Sequence, residues 1–294
     1  MFCAARSHAT RSAFCEAHRH LHSLAKMPEV ASVYAGPSVT LPGFNDTLPT
    51  SAKRFAPDTY EQMIVAVLTM WNLLDANINN AQLAGNGYKS PYGTPYGYMR
   101  PVQLHAYTQA VWKNRHVRTY CEIGLNGGHG TAAMLEANPD LVAHSFDMGA
   151  YGYSNDAYRL LALSFGDRFQ LHRGDSMLTV PEFAAAHQSV ACDVILIDGD
   201  HRLRGCKQDM INMRKLAGCN ATVFIDDISM PPGAAVNHLV QTGVLKVLEW
   251  HKYKRHAREN PCLRLGHPGS TRRLCDRAWG WAKASYVQPG RCPG

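Results

Sequence analysis

The stretch that most constrains this chain is Thr119-Tyr-Cys-Glu122-Ile-Gly124-Leu-Asn126-Gly127-Gly128-His129-Gly130-Thr131. A short apolar approach ends in an acid, a glycine-rich turn follows, and Thr131-Ala-Ala-Met-Leu-Glu-Ala reads as a helix. Strand, tight turn and helix N-terminus together present backbone N–H groups to a ligand and let the backbone come close to it. A nicotinamide fingerprint G-x-G-x-x-G would begin at Gly124, but its second glycine is Asn126 and its third is His129. A glycine-rich turn that binds nothing is the plainer alternative, so the decision falls to the rest of the chain.

From residue 117 onward strand and helix patterns alternate, which calls for a mostly parallel sheet with helices on both faces. Strands are expected near 118–123, 141–147, 168–172, 192–198 and 221–226, with a sixth over 244–250 and a seventh over 279–287. Helices are expected near 130–138, 154–165, 176–187, 203–217 and 231–241. Before this core, Tyr60, Ile64, Val67, Leu68, Trp71 and Leu74 recur at spacings of three and four, the stripe of an amphipathic helix. Pro101 opens another helix through about Arg115. The Gly-, Pro- and Tyr-rich segment 84–99 cannot hold a helix and reads either as a substrate lid or as a packed loop. The organisation expected is a leader and linker over 1–57, N-terminal helices and the lid-like loop over 58–116, a core over 117–250, and a basic segment over 251–294 that completes the sheet.

In an open α/β sheet, ligands bind beyond the carboxyl ends of the strands. Here those ends carry Glu122 and Gly124, then Asp147, then Gly174-Asp175-Ser176, then Asp198-Gly199-Asp200-His201, then Asp226-Asp227. One acid after a strand says little, because loops are polar. Five polar strand ends in succession point to a site. Asp147, placed 25 residues after Glu122, is the natural acceptor for ribose hydroxyls.

Glu122-Ile-Gly-Leu-Asn-Gly-Gly, Arg173-Gly-Asp-Ser176 and Ile195-Leu-Ile-Asp-Gly-Asp-His201 resemble the motifs of class I S-adenosylmethionine (SAM)-dependent methyltransferases. The nearest branch is the small-molecule O-methyltransferase-like group with an Asp-Gly-Asp-His segment. The resemblance covers about residues 100–250 and implies a Rossmann-like, doubly wound sheet of seven strands, the last antiparallel. It also implies that Glu122, Gly124, Asn126 and Gly128 cradle the methionine part of SAM, that Asp147 holds the ribose, and that Asp175 and Ser176 flank the adenine. Catechol-type relatives hold Mg²⁺ with acids after strands four and five, places matched here by Asp198, Asp226 and Asp227. Such hard oxygen ligands suit Mg²⁺. His201 stands where those enzymes carry a lysine, and an imidazole that titrates near neutrality is a reasonable general base beside Asp198. The expected reaction is O-methylation of a small-molecule hydroxyl. A nicotinamide-dependent oxidoreductase fits the fold class but fails at Asn126 and His129. A non-catalytic protein that binds SAM or nucleic acid stays open, although nucleic-acid binding leaves the five polar strand ends without a purpose.

Composition narrows the remaining classes. The formal charge of +7 lies unevenly: residues 1–60 hold six basic and four acidic residues, 61–244 thirteen and sixteen, and 245–294 eleven and three. The tail, with Arg272, Arg273 and Arg277, could meet an anionic partner or be a solvated basic surface. Nine cysteines include no C-x-x-C, which argues against a zinc ribbon. Cys121, Cys192 and Cys206 are expected to act as small core hydrophobes, while Cys262, Cys275 and Cys292 could pair in an oxidising compartment. Sequons occur at Asn45 and Asn220. No run of eighteen apolar residues exists, so no spanning helix is expected. The basic, Ser-containing first 26 residues are compatible with an organellar transit peptide or a disordered leader, leaving a cytoplasmic or organellar location. Nothing in the sequence addresses oligomeric state.

Overall fold

The fold is taken from a computed structural model, which describes residues 38–40, 47–49, 57–83, 99–253 and 278–292. The transit-peptide-like leader, the lid-like segment 84–98, Cys262, Cys275, the three tail arginines and the Asn45 sequon lie outside the described residues. Within the stretch expected to be linker, β1 (Ser38–Thr40) and β2 (Thr47–Pro49) pair antiparallel. Next come α1 (Tyr60–Leu83) and α2 (Pro101–Val111). The core follows as β3 (Thr119–Ile123), α3 (His129–Ala137), β4 (Val142–Asp147), α4 (Gly152–Phe165), β5 (Phe169–Arg173), α5 (Ser176–Ala186) and β6 (Cys192–Ile197). It is completed by α6 (Leu203–Arg214), β7 (Ala217–Ile225), α7 (Pro231–Gln241), β8 (Leu245–Tyr253) and β9 (Trp279–Tyr286).

The seven core strands form one sheet in the order β5-β4-β3-β6-β7-β9-β8. Strands β3 to β7 pair in parallel, and β9 inserts antiparallel between β7 and β8. The chain reverses direction across the sheet between β3 and β6, so a crevice opens where their carboxyl ends diverge. This is the seven-stranded, doubly wound, mostly parallel architecture expected, with β9 as its antiparallel strand. Helix α6 stops earlier than the expected 203–217, because β7 begins at Ala217. Cys206, Met210, Met213 and Leu216 face inward as their spacing requires, but Leu203 at the helix start is 50% exposed.

One apolar layer covers each face of the sheet. On one side α1, α2, α3 and α4 pack Met63, Val67, Trp71, Leu74, Leu104, Tyr107, Met134 and Leu161 against Tyr120, Val194, Leu196 and Phe224. On the other, α5, α6 and α7 cover Cys121, Ile195, Ile197, Val223 and Ile225. Each fully buried Leu, Ile or Met side chain of these layers contributes roughly 1.5–3 kcal/mol relative to exposure.

The cysteines behave differently from the sequence-based expectation. Cys121 is bonded to Cys192 across the adjacent strands β3 and β6, and Cys219 to Cys292. Cys206 alone of the described cysteines is free, and it is buried. The partners stand 71 and 73 residues apart in sequence, so only strand adjacency reveals them. Among the described residues no helix is long and apolar enough to cross a membrane.

A histidine cluster makes acid stability testable. His144 on β4 lies 3.2 Å, Nδ1 to Nε2, from His172 on β5, and both rings pack on Phe183 of α5. Burial first, then the neighbouring His172 and His187, push His144 down to about 4. A histidine with a depressed native pKa stabilises the fold fully above its unfolded value near 6.5, and that contribution is lost as pH falls toward 4. The melting temperature should therefore drop between pH 6.5 and 4.5. His144→Gln should remove most of that drop, and a variant that keeps the same acid slope would refute this assignment.

Candidate active site

The site is assembled by hydrogen bonds that carry the strand ladders past their ends. Gly124 N–H donates to Phe146 O, Gly174 N–H to Asp147 O, Asp198 N–H to Ile123 O and Asp226 N–H to Ile197 O, all at 2.9–3.0 Å. The acids that follow each strand are thereby gathered at one edge of the sheet. Gly124 turns at φ 99°, Asn126 at 49° and Gly128 at 82°, so three residues of the turn adopt the left-handed region. Glycine takes it freely, and asparagine tolerates it better than other side chains. Gly128 N–H closes the turn on Leu125 O at 2.7 Å.

Helix α1 clamps this turn from outside. Trp71 Nε1 donates to His129 O at 2.9 Å, and His129 Nε2 stands 3.3 Å from Asp75 Oδ1, both residues buried. Tyr153 Oη on α4 donates to Asn126 Oδ1 at 2.7 Å, and Asn77 on α1 donates to Tyr153 O at 3.1 Å. The residues that break the nicotinamide fingerprint, Asn126 and His129, are thus the ones that tie the turn to the N-terminal extension.

Glu122 lies beneath the turn, 1% exposed. Its carboxylate accepts hydrogen bonds from Tyr120 Oη at 2.7 Å, from Ser145 Oγ at 2.8 Å and from the Thr131 hydroxyl. Burial pushes its pKa up to about 7 and outweighs the three hydroxyls, which act in the opposite direction. A buried acid on the verge of neutrality responds strongly to a cationic group placed beside it.

Asp147 stands at the carboxyl end of β4. It accepts from Asn126 N–H at 2.9 Å and from Gly149 N–H at 2.5 Å, and so braces the turn. Asp175 is the N-cap of α5, accepting from Met177 N–H at 2.9 Å. Ser176 Oγ donates to Asp209 Oδ1 at 2.6 Å. Asp209 sits on α6, 1% exposed, and no sequence motif marks it, although with the buried Asn212 it interrupts the apolar inward face. Its other oxygen, Oδ2, lies 3.5 Å from Asp200 N–H, so one carboxylate joins the ends of β5 and β6.

Beyond β6 and β7, His201 Nε2 lies 3.5 Å from Asp198 Oδ1 and 3.4 Å from Asp227 Oδ2. Each of these three residues offers a ligand atom within 4.8 Å of the others. The hydrogen bond to Asp198, then the charges of Asp198, Asp227 and Asp226, raise His201 to about 9 against the opposing effect of burial. Its side chain is 43% exposed, so solvent screens part of this attraction. Arg202, a nearby cation that could have neutralised these acids, pairs instead with Asp200 at 2.7 Å. Asp227 holds φ 53°, a left-handed conformation for a non-glycine residue at the centre of the site.

Asp226 lies beside this trio. Gln103 Nε2 on α2 donates to its Oδ2 at 2.8 Å, and Asp227 N–H donates to its Oδ1 at 2.8 Å. Burial first, and then Asp198 and Asp227, raise its pKa. Asp198 and Asp227 gather around His201, while Asp226, close enough for their charges to act on it, is held by Gln103. Gln103 had no signal in the sequence beyond its place on a predicted helix.

Part of this set lines a cavity: the turn residues Gly124 to Asn126 and Gly130, with Glu122, Leu196, Asp198 and Asp226, and with Met99, Gln103 and Tyr107 from the N-terminal side; Asp147, Asp175, Ser176, His201 and Asp227 do not line it. A glycine-rich turn forms one wall, carboxylates another, and Met99, Gln103 and Tyr107 the third, so the cavity offers both polar and apolar contacts.

The same region is similar to known proteins. Residues 121–228 match the family described as a methyltransferase domain. No curated protein sequence matches the chain. In structure, an O-methyltransferase from Bacillus cereus in complex with SAH is similar with a TM-score of 0.51 at 13% identity, over 72% of this chain and 90% of that one. An SAH-bound Podospora anserina methyltransferase reaches 0.51 at 11% identity, over 96% and 99%. An O-methyltransferase from Streptomyces achromogenes involved in tomaymycin synthesis, in complex with SAM, reaches 0.50 at 13% identity, over 76% and 95%. At these identities the likeness is one of fold.

Proposed function

We propose that this chain transfers the methyl group of SAM to a hydroxyl of a small molecule, a reading supported by the match of residues 121–228 to a methyltransferase domain and by a fold similar to those of O-methyltransferases. The observation that carries this reading is the cavity that joins the Glu122–Gly130 turn to the acids after β6 and β7. It has features that suit a sulfonium cofactor: a left-handed turn that lets the backbone approach, and a buried acid beneath it. Glu122, Gly124, Asn126 and Gly128 cradle the methionine part, Asp147 takes the ribose, and Asp175 and Ser176 flank the adenine. Bound SAM supplies an electrophilic methyl group, and the protein's task is to align the acceptor with it and remove the acceptor's proton.

His201 is the group placed to take that proton. Held near 9 by Asp198 and Asp227, it keeps its own proton at neutral pH and becomes a base only when that attraction is relieved. Asp198, Asp227 and Asp226 offer the hard oxygens that a divalent cation such as Mg²⁺ prefers, with His201 beside them as the base. A cation held there would lower the pKa of an acceptor hydroxyl.

The test is calorimetry followed by methyl-transfer assays. SAM should bind in preference to NAD, and Asp147→Ala should weaken it about tenfold or more, as expected for loss of a hydrogen-bonded charged partner. With isotope-labelled SAM and a panel of hydroxylated small molecules, label should reach an acceptor oxygen, fall with EDTA and return with Mg²⁺. Tight NAD binding with no response to SAM would overturn the cofactor assignment. Activity indifferent to EDTA would remove the metal and leave the cofactor in place.

A further inference from the structure

Gln103 stands at the third position of α2, outside the matched methyltransferase domain, and is 2% exposed. Its Oε1 accepts from the Arg100 N–H at 3.0 Å, and its Nε2 donates to Asp226 Oδ2 at 2.8 Å. A backbone N–H can only donate, so the amide oxygen must face Arg100 and the amide nitrogen must face Asp226. The partners dictate the orientation of the amide.

Half of this arrangement is ordinary. A glutamine or glutamate at the third helical position reaches back to satisfy the N-cap N–H. Glutamate serves that task as well, and its charge suits a helix N-terminus. The amide nitrogen is the end a cap does not need, and it is the end that touches the site. Both Asp226 oxygens receive neutral donors, Oδ2 from Gln103 and Oδ1 from the Asp227 N–H at 2.8 Å. The Asp226 N–H is tied in turn to Ile197 O at 3.0 Å. Backbone and carboxylate are thus both fixed, and each oxygen keeps a further lone-pair direction for another partner. Neutral donors orient a carboxylate without cancelling its charge, and carboxylates that hold metals are commonly braced in this way. Asp198 and Asp227 lie close enough for their charges to act on Asp226, and Gln103 and Asp226 line the same cavity.

On the reading that the acids after β6 and β7 hold a divalent cation, we propose that Gln103 is a positioning residue that presents the Asp226 carboxylate to that cation. Helix α2 then sets the affinity of the metal site from outside the matched domain.

The test is Mn²⁺ binding followed by electron paramagnetic resonance, with SAH affinity measured by calorimetry on the same full-length proteins. Gln103→Met keeps the length of the side chain and removes the donor. It should weaken Mn²⁺ binding about 10–100-fold, the usual effect of removing a group that orients a metal-binding carboxylate, and change SAH affinity by less than about twofold. Gln103→Asn, one methylene shorter, keeps an amide that cannot reach both partners and should show the same selective loss. In an Asp226→Ala background Gln103→Met should cause no further loss of Mn²⁺ affinity, because the two residues act as one unit. Unchanged Mn²⁺ binding in both single variants, equal losses of Mn²⁺ and SAH, or an undiminished effect in the Asp226→Ala background would overturn the proposal. If the unaltered protein binds SAH but not Mn²⁺, the metal reading itself falls, an outcome distinct from these because it precedes any substitution.

Discussion

Replacing Gly124 with alanine is expected to abolish cofactor binding and to destabilise the fold by about 3–5 kcal/mol, the sum of backbone strain and overpacking. Gly124 adopts φ 99°, and an added Cβ would sit 2.1 Å from the carbonyl oxygen of Asp198 and 2.7 Å from its carbon. Those atoms cannot retreat freely, because the Asp198 N–H is tied to Ile123 O at 3.0 Å, so the collision falls on backbone held in register with the sheet. Gly243 is the control: its φ is 71°, and a Cβ there meets nothing within 4 Å. Gly243→Ala should show only the backbone strain, about 1–2 kcal/mol, and leave SAM affinity intact. Denaturant midpoints and calorimetry on both variants separate the two contributions. A Gly124→Ala protein with near-normal stability and SAM affinity would mean that the turn does not pack against the β6 end as described.

His201 should titrate far from an ordinary histidine, with its midpoint near 9 when observed by NMR in metal-free protein. The sign follows from its partners. Asp198 and Asp227 favour the protonated form, so the stability they confer is present below the unfolded value near 6.5 and is lost as pH rises through about 9. Asp227→Asn should lower the midpoint, and Mg²⁺ should lower it further if Asp198 and Asp227 turn to the cation. His201→Ala should reduce turnover by about 10²–10⁴-fold, the usual range for a general base, with little change in SAM affinity. A midpoint near 6.5, indifferent to Asp227→Asn, would remove the charge triad, and an undiminished rate in His201→Ala would remove the base.

How much of this was legible beforehand differs from element to element. The strands are apolar runs bounded by turn residues, and the helices show inward stripes such as Tyr60 to Leu74. Local pattern suffices for such elements, since the period of the apolar residues follows from the geometry of each. The polar strand ends were legible for the same reason: Glu122, Asp147, Asp175, Asp198 and Asp226 each stand at or just after the carboxyl end of a strand, and parallel strands bring such ends to one edge.

What the sequence by itself determined was therefore the architecture and the list of acids at its functional edge. Only the tertiary structure decided how those acids are held. Asp226 faces Gln103 across 123 residues of chain, Asp209 joins Ser176 across 33, and Glu122 is satisfied by Thr131 and Ser145, hydroxyls that no motif marks. The Cys121–Cys192 and Cys219–Cys292 bonds belong with these, since each depends on which segments lie side by side and none on local spacing. Secondary structure is written in near-neighbour periodicity, but hydrogen bonds and pKa values are set by whatever lies within a few ångströms, and in a doubly wound sheet those neighbours come from distant parts of the chain.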